Sequence, residues 1–147
     1  MQNNWEYKNA QKDSAIPKGK EFLREIPSSK EFKIFANDKF TPLYHFWDQC
    51  KNNNFCLVKK VQERYSSGID KQEFKFLREQ IMALEDPLEQ ATFFFILNRT
   101  SFSGSTLSGG FSQESAIKRF TQSSIQRIED LSLEKVQFFN QDFETFL

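Results

Sequence analysis

Asp86-Pro87-Leu88-Glu89-Gln90-Ala91-Thr92-Phe93-Phe94-Phe95-Ile96-Leu97 is the stretch around which the rest of the chain arranges itself. Asp86 is a helix N-cap, Pro87 takes the first helical position where its missing N–H costs nothing, and Glu89 places an acid at the positive end of the helix. From Ala91 to Leu97 the residues are apolar almost all round, so this helix has no face to give to water and must be central. The flanking segments are amphipathic by contrast. Upstream, a helix from Asp70 to about Leu84 carries Phe74, Leu77, Ile81 and Leu84 on one face. Before it, Phe55, Val58, Val61 and Tyr65 mark the inner face of a helix ending near Ser66-Ser67-Gly68. Thr41-Pro42 opens an earlier helix, with the Thr hydroxyl as cap and Leu43, Phe46, Trp47 and Cys50 turned inward.

Two short apolar runs bracket these helices. Phe32-Lys33-Ile34-Phe35-Ala36, stopped by Asn37-Asp38, has the length and composition of a buried strand, and Val136-Gln137-Phe138-Phe139 reads as another. Between the central helix and the second strand, Thr100 to Gln113 holds five Ser, two Thr and three Gly around Phe102, Leu107 and Phe111, a long loop or glycine-turned hairpin. Ile117, Phe120, Ile125, Ile128 and Leu131 predict one or two helices after it, restarted by a cap at Ser123-Ser124. Asp142 caps a final helix over Phe143, Phe146 and Leu147, too short to hold without a partner surface. Residues 1 to 30, polar and carrying Pro17, Gly19 and Pro27, read as a loosely ordered arm. The chain is thus expected to be mostly α-helical, with a few short strands and a Ser/Gly-rich hairpin.

Composition narrows the function. Of 147 residues, 18 are Phe, and Lys plus Arg balance Asp plus Glu at 20 each, so a packed aromatic core is expected without a global field toward nucleic acid or membrane. No apolar run reaches the roughly 20 residues of a membrane span, and Met1 to Glu6 lacks the layout of a signal peptide, so the expected compartment is the cytoplasm and no membrane partner is expected. Cys50, Cys56 and the lone His45 make no zinc ligand set, so no metal is expected, and the thiols read as reduced. Gly104 to Gly109 has the glycine spacing of a phosphate-binding P-loop, but Gly110 and Phe111 stand where Lys and Ser or Thr must follow. No Gly-x-Ser-x-Gly elbow accompanies His45, which removes the serine hydrolases of that type.

Charge is distributed unevenly within the neutral total. Asn98 to Ile128 carries Arg99, Lys118, Arg119 and Arg127 against the single acid Glu114, whereas Asp70 to Asn98 carries three cations and six acids. The basic half coincides with the Ser/Gly-rich loop, where freed amides, arginines and an exposed Phe can meet phosphates and bases. A solvated loop over a Phe-rich core accounts for the same residues.

At Phe94-Phe95-Ile96-Leu97-Asn98-Arg99-Thr100-Ser101-Phe102-Ser103-Gly104 the chain resembles the Dam-like class of DNA adenine methyltransferases, in which an aromatic helix ends in Leu-Asn-Arg and is followed by Asn-Gly or Ser-Gly. The likeness extends to Ala36-Asn37-Asp38 with Thr41-Pro42-Leu43-Tyr44-His45-Phe46-Trp47, to Gly109-Gly110-Phe111-Ser112, and to Arg119 through Ile125 and Asp142-Phe143-Glu144, about residues 33 to 147 in all. It implies an α/β, Rossmann-like methyltransferase fold and methyl transfer from S-adenosylmethionine to the exocyclic amine of an adenine flipped out of double-stranded DNA. Asp38 corresponds to the acid that hydrogen-bonds the cofactor ribose. Asn98, Arg99, Phe102, Ser103 and Gly104 correspond to the start of the target-recognition hairpin, with Lys118 and Arg119 as further DNA contacts. Relatives that read GATC carry Asn-Gly and an Arg three residues past the Gly, where this chain has Ser103-Gly104 and Leu107. The family's Phe-x-Gly-x-Gly loop and Asp-Pro-Pro-Tyr motif do not occur in the 147 residues.

The resemblance therefore implies the middle of a methyltransferase. Residues 31–65 would belong to the cofactor-binding domain, 66–132 to a helical target-recognition insertion with its hairpin at 98–113, and 133–147 to the return toward the catalytic strand. Such a piece is expected to be inactive alone, with no catalytic residue of its own, and to work with a second chain that carries the missing motifs. A non-catalytic DNA-binding module and a non-functional remnant remain the alternatives.

Overall fold

The computed structural model describes residues 32–146; the expected N-terminal arm and Leu147 lie outside the described residues. Strand β1 (Ile34–Asn37) leads through a turn, in which the Asp38 carboxylate accepts from the Phe40 N–H at 2.8 Å, into helix α1 (Thr41–Asn52). Pro42 stands in its first turn as expected, but Phe40 is the N-cap, and the Thr41 hydroxyl bonds Asn140 at 3.2 Å instead of capping. Asp38 has already fixed this turn, which releases Thr41 for the longer-range bond. Helix α2 (Asn54–Ser67) follows and stops at Gly68, whose φ of +85° is a conformation that glycine adopts without a Cβ penalty.

Helix α3 (Lys71–Gln80) is capped by Asp70, which accepts from the Glu73 N–H at 2.8 Å, and tightens into a 3-10 turn at Ile81–Ala83. Helix α4 (Pro87–Thr100) is the central element: Asp86 caps it, and every residue from Gln90 to Leu97 is buried. After a 3-10 turn at Phe102–Gly104 come α5 (Gln113–Arg119), α6 (Gln122–Glu129), strand β2 (Val136–Phe139) and the single turn α7 (Phe143–Phe146). The described chain is thus mostly helical, with β1 and β2 paired in parallel, Ile34 opposite Val136 and Asn37 opposite Phe139.

The core forms where α1, α2, α3 and α5 pack around α4, with α6 packed on α2. Phe46 stacks on Phe95 with centroids 5.6 Å apart, Phe120 meets Phe95 edge-on, and Leu57, Val61, Leu77, Ile81 and Ile125 are all but inaccessible. Four expectations change here. Phe55 is 79 % exposed and Leu57 takes its place inside, because α2 begins at Asn54 and turns its second residue outward. Ile117 is exposed, since α5 presents Ser115 and the following Phe120 to the core. The restart before α6 is capped by Thr121, with Ser124 bonding back to the Thr121 N–H in a reciprocal box, so Ser124 serves at the third helical position and not as the cap. Finally, β1 is not buried: Phe32, Ile34 and Phe35 are each about half exposed, because the described residues pair β1 only with β2.

The two strands end side by side and are tied there by side chains. Asn37 exchanges hydrogen bonds with the Gln141 backbone, Asn140 donates to the Asp38 and Lys39 carbonyls, and Lys39 pairs with Asp142 at 2.9 Å. Asp142 also accepts from the Glu144 N–H, which makes it the expected cap of α7, and Phe146 covers Phe139 at 5.3 Å.

Candidate functional site

The expected recognition segment begins inside α4, whose last turn contains Asn98 and Arg99. Beyond it the chain makes no extended ladder. A single antiparallel bridge, Ser101 with Phe111, closes a tight loop, supported by Phe102 N–H to the Gly110 carbonyl at 2.9 Å and Ser112 N–H to the Thr100 carbonyl at 2.9 Å. Asn98 turns its amide into this loop and donates to the Gly104 carbonyl at 3.2 Å and the Thr106 hydroxyl at 3.1 Å, so its role is to hold the loop rather than to face outward. The Ser101 hydroxyl accepts from the Thr106 N–H at 2.8 Å. Ser103, Gly104 and Thr106 all have positive φ, at 53°, 70° and 57°, and for the β-branched Thr106 that is a strained conformation held by these bonds. Phe102 and Ser103 stand exposed just past the bridge, Phe102 to 67 %.

Three arginines bear on this region, Arg119 against the loop and Arg99 and Arg127 near enough for their charges to repel. Arg99 lies over the Phe95 ring, its guanidinium carbon 5.4 Å from the centroid, and its Nε is buried with no hydrogen-bond acceptor. Burial pushes the Arg99 pKa below its ordinary value, and repulsion from Arg119 and then Arg127 pushes it further. Arg119 packs its guanidinium on Gly104: a Cβ there would sit 2.8 Å from Nη2. Gly104 takes its φ without strain, and its missing side chain leaves room for the end of Arg119. Among the described residues, none of the three arginines forms an ion pair. Lys118, the remaining basic candidate, is paired with Glu114 one helical turn away at 2.8 Å and stands apart from that unneutralised group.

Asp38 lies elsewhere, at the carboxyl end of β1. It borders a cleft of about 280 Å³ lined by Tyr44, Trp47, Val136, Phe138 and Phe139, with Trp47 and Phe138 stacked at 6.2 Å. One carboxylate oxygen accepts from Phe40, and the other accepts no hydrogen bond from the described residues. The cleft thus sets a carboxylate oxygen beside flat aromatic walls at the ends of the parallel strands.

Two contributors escaped the sequence reading. Arg127 was visible only as one of the cations of the basic half, and its place beside Arg99 depends on how α6 packs. Arg78 lies in the acidic half, yet its guanidinium crosses to the Gly109 carbonyl at 2.6 Å and rests over Phe74, which meets Phe111 edge-on, so α3 braces the far arm of the loop. Among the described residues no group of three or more His, Cys, Asp or Glu is placed to hold a metal ion, and no helix is long and apolar enough to cross a membrane. Compared with protein-family models and with curated proteins, the chain matches none.

Proposed function

We propose that this chain is the target-recognition part of an adenine-specific DNA methyltransferase of the Dam-like class, and that its loop at 101–111 and the arginines beneath it bind double-stranded DNA. The observation that carries this reading is Arg119 packed on the turn at Gly104, in a loop held in strained backbone, with Arg99 and Arg127 near enough to repel and no ion pair on any of the three among the described residues. Like charges brought together with partial loss of water are costly unless an anion joins them, and a polyanionic backbone is such a partner. Strain of this kind is kept where a surface must be held ready. Phe102 and Ser103, exposed above the cations, are in position to meet bases while the arginines take phosphates.

The Rossmann-like part of the reading draws on β1 and β2, which run parallel and flank the helices and loop in sequence. S-adenosylmethionine would supply the methyl group. Asp38 would hold its ribose, and Trp47 and Phe138 would wall its adenine, while no residue of this chain is proposed to catalyse the transfer. The part of that reaction proposed for these residues is the recognition of DNA.

Titration of labelled duplex DNA with the purified chain tests the proposal. Affinity that falls steeply as salt rises, by a slope of about 0.9 per phosphate neutralised, is the expected result. No binding at low salt, or binding indifferent to salt, would refute it.

A further inference from the structure

We propose that the exposed side of α2 is a self-association surface, on which two copies of this chain pair with their α2 helices antiparallel about a two-fold axis. This stands apart from the DNA-binding reading, since no residue of the loop at 101–111 and none of the three arginines lines that surface.

A groove of about 590 Å³ runs along α2 from Asn54 to Ser66, and Glu129 of α6 stands at the end where Asn54 donates to the Ile128 carbonyl at 2.8 Å. Its exposed lining is mostly apolar. Phe55 stands outside the core and largely in water, and Val58 lies one turn further on. An aromatic ring left in water beside a groove gains by being covered, and a patch rimmed by polar residues marks a surface that meets another molecule.

Charge decides which molecule. Lys59 and Glu63 line the same groove one turn apart, and both are exposed. Lys75 and Glu79, in the same order and spacing on α3, close an ion pair at 3.9 Å, and Lys118 closes one with Glu114 at 2.8 Å. Lys59 and Glu63 form no ion pair with each other or with any other described residue. A surface that answers both must carry an acid and a base at the same spacing but in reverse, and α2 of a second copy, turned antiparallel, carries them. An axis crossing α2 between Lys59 and Gln62 sets each Lys59 beside Gln62 and Glu63 of the other copy. It also lays each Phe55 over the Ser66 end of the other helix, where Ser66, Ser67 and Gly68 are small enough to leave room for the ring. Parallel helices would set lysine against lysine and acid against acid. The contact is isologous, so it closes on itself and association stops at two copies. The rings supply the affinity and the charges the direction, because exposed ion pairs contribute little while like charges face to face exclude the wrong arrangement.

Sedimentation velocity of the full chain between about 1 and 100 μM should show a monomer–dimer equilibrium. Phe55→Glu should weaken it by at least about tenfold. The melt of that variant, taken where the chain is monomeric, should match that of the original chain, because Phe55 lies outside the core. Lys59→Glu and Glu63→Lys should each weaken the homodimer roughly tenfold, while the two variants mixed should dimerise as well as the original chain, since only the mixture sets opposite charges together. Cys56 is exposed and lies outside the groove, and Cys50 is buried, so a spin label can be placed at Cys56 alone. Electron–electron dipolar coupling between two labelled copies should then report about 15–25 Å, from the offset along antiparallel helices and the distance between their axes.

A chain that stays monomeric throughout this range would overturn the proposal. Residues 1–31 of the same copy, were they what fills the groove, would give that result. A dimer indifferent to Phe55→Glu, a mixture of the two charge variants that stays monomeric, or labels far outside that distance would place the contact elsewhere and overturn it equally. None of these outcomes bears on DNA, so the proposal and the DNA-binding reading fail separately.

Discussion

Cys50 and Cys56 illustrate how far the environment of one residue departs from its type. Cys50 is buried on α1, and burial pushes its pKa up to about 12, whereas Cys56 is exposed on α2. A disulfide-exchange reagent at neutral pH should therefore titrate one thiol at once and the second only after denaturation; two rapid thiols would contradict this burial. The sign of the pH effect follows from where the proton is held. Above the ordinary thiol value of 9.0 the unfolded chain releases a proton that the folded chain keeps, so the contribution is complete below pH 9.0 and is lost as pH rises toward about 12. The loss is about 1.4 kcal/mol per pH unit, and urea melts across that range should show a shallower decline for Cys50→Ala. Gln90 makes a second test. Buried in α4, it donates to the Ile81 carbonyl at 2.8 Å and meets His45 Nδ1 at 2.6 Å. Gln90→Leu leaves both groups without that partner and should cost about 1–3 kcal/mol in a urea melt. His45 was a lone histidine in the sequence; only the packing of α1 on α4 supplied its partner.

Elements were legible where their signals are local. Asp70 and Asp86 cap α3 and α4 as their positions require, and Pro42 and Pro87 stand in first turns, because capping is settled within four residues. The restart before α6 was not settled so closely, since Thr121, Ser123 and Ser124 can all cap. Burial of Phe120, Ile125 and Ile128 selects Thr121, which brings the two isoleucines onto the inner face. Thr121→Ala should lower stability by about 1 kcal/mol and Ser123→Ala by much less, a contrast that thermal melts of the pair can check. The loop between α4 and α5 offers a different test. Arg78 reaches it from α3, so Arg78→Met should speed amide exchange at Phe102 and Ser112, whose N–H groups close the loop, while Asp70 continues to cap α3. Unchanged exchange at those two amides would show that the loop stands without its brace.

For the molecule as a whole, stability is concentrated in α4. Leu97 is fully buried at its centre, and Leu97→Ala should cost about 2–5 kcal/mol, whereas Phe55→Ala, at a site 79 % exposed, should change the urea midpoint little. Equal losses at the two sites would contradict the central place of α4. The almost wholly apolar stretch from Ala91 to Leu97 determined that centrality from sequence alone, because a helix segment with so little polar surface can lie only inside. The amphipathic spacing of Phe74, Leu77 and Ile81 likewise determined which side of α3 turns inward. What sequence could not determine was every relation between distant segments. Two short apolar runs do not say that they pair, in parallel or in which register, and Asn37 and Gln141, 104 residues apart, meet only because the helices between them return the chain to its start. Arg119 is likewise one cation in a neutral chain until α5 brings it to Gly104. Periodicity and capping are written within a few residues, so they are read locally; charge clusters, strand pairing and clefts arise from packing between elements, which only the tertiary structure decides.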